Sequence, residues 1–155
     1  MNDEQRAELA ILQARVAGLV QGHTVLAIGA TDSLALAPPP SGAGPADCVV
    51  LAFEWSRVAR DDQDAYLADL RARSSARALL VIVDDIYVEG ASLPVARTDL
   101  RGNTFHRVTG ADGVQSEIPK NYPSDSALRK RLGGAARDIR VERGEYYWLL
   151  TGRLK

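Results

Sequence analysis

A chain of 155 residues, 46% hydrophobic and 25% charged, has the balance of an ordinary globular domain and enough apolar side chains for one core. A formal net charge of -1 argues against a protein that lives on nucleic acid, whose phosphates call for a basic surface, and a single cysteine, Cys48, excludes a disulfide framework or a thiolate-rich zinc centre. The acidic start Met1-Asn2-Asp3-Glu4, and the absence of any run near the ~20 apolar residues that span a bilayer, lead us to expect a cytoplasmic protein with no signal peptide and no membrane helix.

Leu9, Leu12, Val16 and Leu19 recur at steps of three and four, with Arg6, Gln13 and Gln21 elsewhere, which predicts an amphipathic helix ended by Gly22. Thr24-Val25-Leu26-Ala27-Ile28-Gly29 is then a short apolar run of the kind found in a buried parallel strand. From Ala30 to Ala46 the character changes. Pro38-Pro39-Pro40 and Ser41-Gly42-Ala43-Gly44-Pro45 offer neither helical hydrogen bonds nor strand pairing, so a loop is expected. Asp47 opens a second strand over Cys48–Phe53, inside which Cys48 reads as a small buried hydrophobe. A helix beginning at Asp61 or Asp62 carries Ala65, Tyr66, Leu67 and Leu70 on one side, and a third strand over Ala78–Val83 ends in Asp84-Asp85. Strand, helix, strand at this spacing is a βαβ unit.

Thr104–Val108 and Val114–Ile118 flank Gly110-Ala111-Asp112-Gly113, whose Asp-Gly pair predicts a tight hairpin with positive φ angles. Pro123-Ser124-Asp125 predicts the N-cap of a helix that runs through Leu132 and is closed by Gly133-Gly134. Ile139–Glu142 and Tyr146–Leu150 form a closing antiparallel hairpin around Arg143-Gly144-Glu145. With no internal repeat, residues 1–155 read as one domain.

This order, together with the blocks Phe53-Glu54-Trp55-Ser56-Arg57-Val58, Asp84-Asp85-Ile86-Tyr87-Val88-Glu89-Gly90-Ala91-Ser92-Leu93-Pro94, Arg97-Thr98-Asp99, Gly102-Asn103-Thr104-Phe105 and Pro119-Lys120-Asn121-Tyr122-Pro123, resembles the class I S-adenosylmethionine-dependent methyltransferases, and within them one bacterial subgroup. The resemblance covers residues ~7 to ~150 apart from the loop. It implies an α/β fold with a shortened Rossmann-like sheet that lacks the family's second and third strands, an inserted β-hairpin and a C-terminal antiparallel hairpin. It also implies that Gly29, Asp32 and the strand end at Ala52-Phe53 would hold the methionine part of S-adenosylmethionine, with no metal.

The chain departs from the family on one side only. The glycine-rich turn is reduced to Gly29-Ala30-Thr31-Asp32-Ser33, and the acidic residue often carried on the first strand is replaced by Ala27. The carboxylate that family members place at the end of the second strand, against the ribose, has no counterpart. Cofactor binding is therefore expected to be weakened or lost. Removal of two strands should also leave Thr24–Ile28 as a sheet edge, which recruits another chain or needs a cover such as the proline loop. The expected partner is a second copy or a full-length methyltransferase.

On the acceptor side, Asp84 and Asp85 stand at the carboxyl end of a strand, where open α/β sheets place ligands. Alternation along a strand predicts that they do not share one site, and Asp85 is the candidate base. Tyr87 and Glu89 follow in the segment that the resemblance places over the methyl-transfer site. Glu89 either orients an amine or hydroxyl acceptor or serves as its general base, or else anchors the loop by accepting backbone hydrogen bonds or pairing with Arg97. Trp55 either stacks on a flat ligand or plugs the core. His106 lies in the hairpin that resembles a lid, and Lys120 and Asn121 either close the substrate side or cap the hairpin. His23 lies at the opposite end of the sheet, and Arg129-Lys130-Arg131 reads as a solvated helix face rather than an RNA-binding patch. Two functions remain: a non-catalytic homologue that partners an active methyltransferase, or an active small-molecule methyltransferase with an abbreviated cofactor site.

Overall fold

The computed structural model describes residues 1–36 and 44–155. Its centre is set by two strands that are apolar on both faces, β2 (Ala46–Ala52) and the end of β3 (Ser74–Asp85). Alternation divides their side chains between two layers. Val49, Leu51, Leu80 and Ile82 pack on one side with Leu67 and Leu70 of helix α2 (Gln63–Ala72) and with Leu128 and Leu132 of α3 (Asp125–Leu132). Cys48, Val50, Val81 and Val83 face the other way, against Leu12 and Val16 of α1 (Asp3–Val20). Helices on both faces of a largely parallel sheet follow from this double burial.

The sheet runs β1 (Val25–Gly29), β2, β3, β8 (Tyr147–Leu154), β7 (Ala136–Arg143). The first three are parallel, from Val25↔Cys48 to Gly29↔Ala52 and from Cys48↔Leu79 to Ala52↔Val83, and β8 is antiparallel to both β3 and β7. Among the described residues β1 pairs only with β2, so it forms a sheet edge, as expected for Thr24–Ile28. The inserted segment makes a small antiparallel sheet of β4 (Arg97–Thr98), β5 (Thr104–Thr109) and β6 (Gln115–Pro119).

Several expected boundaries move. The loop from Ala30 to Ala46 opens with a 3-10 turn over Thr31–Leu34, closed by Ala35 at φ 55°; Pro38, Pro39 and Pro40 lie outside the described residues, and with them the proposed proline cover. Strand β2 starts at Ala46 and stops at Ala52, because Phe53 turns to φ 55°. A 3-10 turn over Arg60–Asp62 precedes α2, which begins at Gln63. Strand β3 starts at Ser74, which pairs with Ala46 across an irregularity that includes Arg77 at φ 62°. In the hairpin turn only Gly113 has positive φ, and Gly113 N–H returns to Gly110 O at 3.0 Å, which makes a three-residue loop rather than the tighter two-residue turn.

Among the contacts that hold helix α1 to the β7–β8 hairpin, one carboxylate takes three backbone donors. Glu8 accepts the backbone N–H groups of Glu145 at 2.7 Å and of Tyr146 and Tyr147 at 2.8 Å. Gly144 permits this approach, since a Cβ there would lie 2.5 Å from Glu8 Oε1.

Candidate functional site

Three parallel strand ends converge at Gly29, at Ala52-Phe53 and at Asp84-Asp85. At the first, Gly29 adopts φ 98°, and a Cβ on it would lie 2.2 Å from the Ala52 carbonyl oxygen. That same carbonyl accepts Ala30 N–H at 2.8 Å. Ser33, Ala35 and Leu36 likewise donate their N–H groups to Ala30, Asp32 and Thr31 within the turn. Phe53 N–H is bonded to Val83 O at 2.9 Å, and its ring stands edge-on to Tyr147 at 5.8 Å. Asp32 is exposed on the 3-10 turn. The surviving glycine and most of the turn's donors are thus engaged by the chain itself.

The third strand end is a buried charge cluster. Asp84 is wholly buried; its Oδ2 accepts Ser56 N–H at 2.9 Å, and its Oδ1 accepts Ser56 Oγ–H at 2.9 Å, Asp85 N–H at 2.8 Å and Lys120 Nζ at 3.0 Å. Lys120 Nζ also reaches Asp85 Oδ2 at 2.7 Å. The expectation that the two aspartates could not serve one site is corrected here. Strand alternation does separate the carboxylates, but an ammonium group on a long flexible stem, with three hydrogens, can bridge them from the end of β6. Burial raises the proton affinity of Asp85, against the opposing pull of Lys120.

His106 and Tyr122 complete this side. His106 is nearly buried, with Nε2 2.8 Å from the Tyr122 hydroxyl. Burial, then the Lys120 charge, holds the imidazole below its ordinary pKa, while burial and Asp85 push the Tyr122 phenol up to about 12. A neutral imidazole accepting from a protonated phenol satisfies both shifts. Asp85, Lys120, His106, Tyr122, Arg57 and Tyr146 border a chamber of about 240 Å³ between the sheet end and the small antiparallel sheet.

Of the residues expected on the acceptor side, Asp85 and His106 border this chamber, and Glu89, Tyr87, Trp55 and Asn121 do not. Glu89 is exposed and accepts from the Tyr87 hydroxyl at 3.3 Å; its expected partner Arg97 pairs with Glu117 instead, which faces it across the small sheet. Tyr87 is half-exposed and lies edge-on to Tyr122 at 5.4 Å. Trp55, offered as a stacking surface, is 2% exposed and packs edge-on to Tyr66 in the core, because its 3-10 turn folds directly under α2. Asn121 fastens the small sheet to the body: its Oδ1 accepts Thr104 N–H at 2.9 Å, its Nδ2 donates to Asn103 at 3.2 Å, and its backbone N–H reaches Ser56 O at 2.7 Å. Lys120, expected only as a closing or capping residue, is the ion at the centre. The sequence signal that could have marked it is a lysine inside an otherwise apolar and amide-rich block facing a strand-end carboxylate pair. His23 bonds Asp47 at 3.1 Å, at the start of β1 and so away from these strand ends. Among the described residues, no group of three or more His, Cys, Asp or Glu side chains could hold a metal ion, and no helix is long and apolar enough to cross a membrane.

No protein-family model and no curated protein matches the chain. Solved structures do. A DhpI–SAH complex is similar over 74% of this chain and 49% of its own, with a TM-score of 0.55 and 20% identity. The chain thus spans about half the length of DhpI. The glycopeptide N-methyltransferase MtfA, complexed with sinefungin, is similar over 92% of both chains, with a TM-score of 0.56 and 11% identity. The N-terminal domain of EvdMO1, in the presence of SAH and D-fucose, is similar over 95% of this chain and 83% of its own, with a TM-score of 0.51 and 18% identity.

Proposed function

With a class I methyltransferase fold, in shortened form, as the premise, we propose that this chain is a non-catalytic homologue that works as a subunit of an active methyltransferase. The observation that carries the proposal is the route from β1 to β2. Residues 30–45 alone separate the two strands, Thr31–Leu34 forms one 3-10 turn among them, and β2 pairs directly with β1. The family resembled has further strands and a ribose-binding carboxylate in this interval; here Asp32 is its only acidic residue. The donors of the turn are mostly bonded within it. The residues present fit at most the methionine end of S-adenosylmethionine.

The β1 edge supports the partner half of this reading: among the described residues β1 pairs with β2 alone, and a strand paired on one side only favours pairing with another chain. The partner is a second copy or a full-length methyltransferase meeting Thr24–Ile28. Light scattering on the concentrated chain, with analysis of what co-purifies, tests it. A dimer or a defined hetero-complex is expected; a monomer with nothing co-purifying overturns it.

One observation favours a second reading, an active small-molecule methyltransferase with an abbreviated cofactor site. Asp85 has raised proton affinity and borders a chamber at the strand ends, which suits a group that accepts a proton from an amine or hydroxyl. Gly29, Asp32, Ala52 and Phe53 would then hold the methionine moiety. Low-micromolar binding of S-adenosylmethionine to the purified chain selects this reading over the first.

A further inference from the structure

A second cavity, of about 520 Å³, lies between the start of α2 and α3 and shares only Tyr122 with the chamber of about 240 Å³. We propose that it binds a small molecule with a flat apolar body and a phosphate-type anionic group, at a site separate from the methyl-transfer side. The charges that border it are three cations, Arg60, Lys130 and Arg131, and one carboxylate, Asp64. Arg131 meets Asp64 at 3.5 Å, but the aspartate side chain is 84% exposed, so water screens the pair. Among the described residues, Arg60 and Lys130 have no carboxylate within ion-pair distance, on a chain whose net charge is negative.

Arg60 is also held in place. Its backbone N–H bonds Asn103 Oδ1 at 2.9 Å, and its guanidinium lies over Gly102, where a Cβ would come within 3.1 Å of Cζ. A guanidinium laid against backbone keeps its planar fork of donors oriented, which lowers the ordering cost of gripping an anion. The nearly buried Asn121 gives one Nδ2 hydrogen to Asn103 and keeps the other. Trp55 and Leu128 border the same space but are almost wholly buried, so its apolar surface comes from the half-buried Tyr122 ring and Pro123. The lining is mixed, with Gln63, Thr104 and Asn121 beside the charged groups, and polar groups converging around an aromatic ring suit a small molecule that carries an anionic group. Cations from two separate elements match the several oxygens of a phosphate better than a single carboxylate, and the net negative charge of the chain disfavours a polynucleotide.

The test uses the full chain and three probes: phenyl phosphate, inorganic phosphate and phenol, followed by calorimetry and by backbone amide shifts. Phenyl phosphate is expected to bind more tightly than either fragment, with shifts centred on Arg60, Gly102 and Lys130. The double variant Arg60→Gln/Lys130→Gln should weaken it by about tenfold or more. Arg107→Gln, which removes an exposed charge on β5 outside both cavities, should leave binding unchanged. Absence of binding at millimolar phenyl phosphate overturns the proposal. So does an equal loss in Arg107→Gln, which would mean unspecific charge attraction, or shifts centred on His106 and Lys120.

Discussion

Asp84 and Asp85 are neighbours in sequence with opposite roles. Asp84 answers two hydrogens of Ser56, the Asp85 N–H and the Lys120 ammonium from a fully buried position. Asp84→Ala should therefore destabilise the fold by about 3–5 kcal/mol, the range for removing one partner of a buried ion pair. Asp85 is bonded by Lys120 alone, and its carboxylate is disfavoured by burial. Because its proton affinity is raised in the fold, its contribution to stability improves as pH falls through that raised value; Asp85→Asn should change stability by less than about 1 kcal/mol at neutral pH. Urea unfolding of both variants separates the two roles. His106 titrates in the other sense. Its folded pKa is depressed by burial and Lys120, so its share of stability is complete above the unfolded value of about 6.5 and is lost as pH falls through the lower folded value. The melting temperature should drop between about pH 7 and pH 5, and His106→Gln should flatten that slope. Asp85 and His106 could be singled out from sequence because each stands at a strand position that the resemblance places near the acceptor. The role of Lys120 could not, since it exists only once β6 has been folded over the end of β3.

Secondary structure was legible wherever burial is two-sided or a cap is explicit. The continuous apolar runs became β2 and β3, and Ser124 caps α3 by accepting Ala127 N–H at 3.2 Å. The elements that escaped are those decided by main-chain geometry: the 3-10 turn after Gly29, the early start of β3 opposite Ala46, and the positive φ of Phe53. None of these leaves a periodic pattern. Gly29 itself is readable as a turn, but its necessity comes from the Ala52 carbonyl. Gly29→Ala should cost at least about 2 kcal/mol, from strain at φ 98° and collision with that oxygen, even if no cofactor is ever bound there. Thermal unfolding without ligand checks this. At the other side of the sheet, Glu8→Ala leaves the N–H groups of Glu145, Tyr146 and Tyr147 without their acceptor. A loss of about 2 kcal/mol is expected, with hydrogen exchange quickened at those three amides and not in β2.

At the scale of the whole molecule, chain order carried most of the fold. A helix, a parallel βαβ unit, an inserted hairpin and a closing antiparallel hairpin leave few topologies once right-handed crossovers are required, and the sheet order β1-β2-β3-β8-β7 is the one obtained. The two cavities were not legible, because each gathers residues from segments far apart in sequence. The shortening is concentrated beside β1, where a strand edge and an internally bonded turn stand, whereas the charged chamber lies at the other strand ends. On the proposed function, this chain alone has no working S-adenosylmethionine site. Titration calorimetry of the purified chain with S-adenosylmethionine tests it most directly. Without the ribose carboxylate and its two charge-assisted hydrogen bonds, the dissociation constant should lie above about 100 µM; one-site binding in the low micromolar range would contradict it.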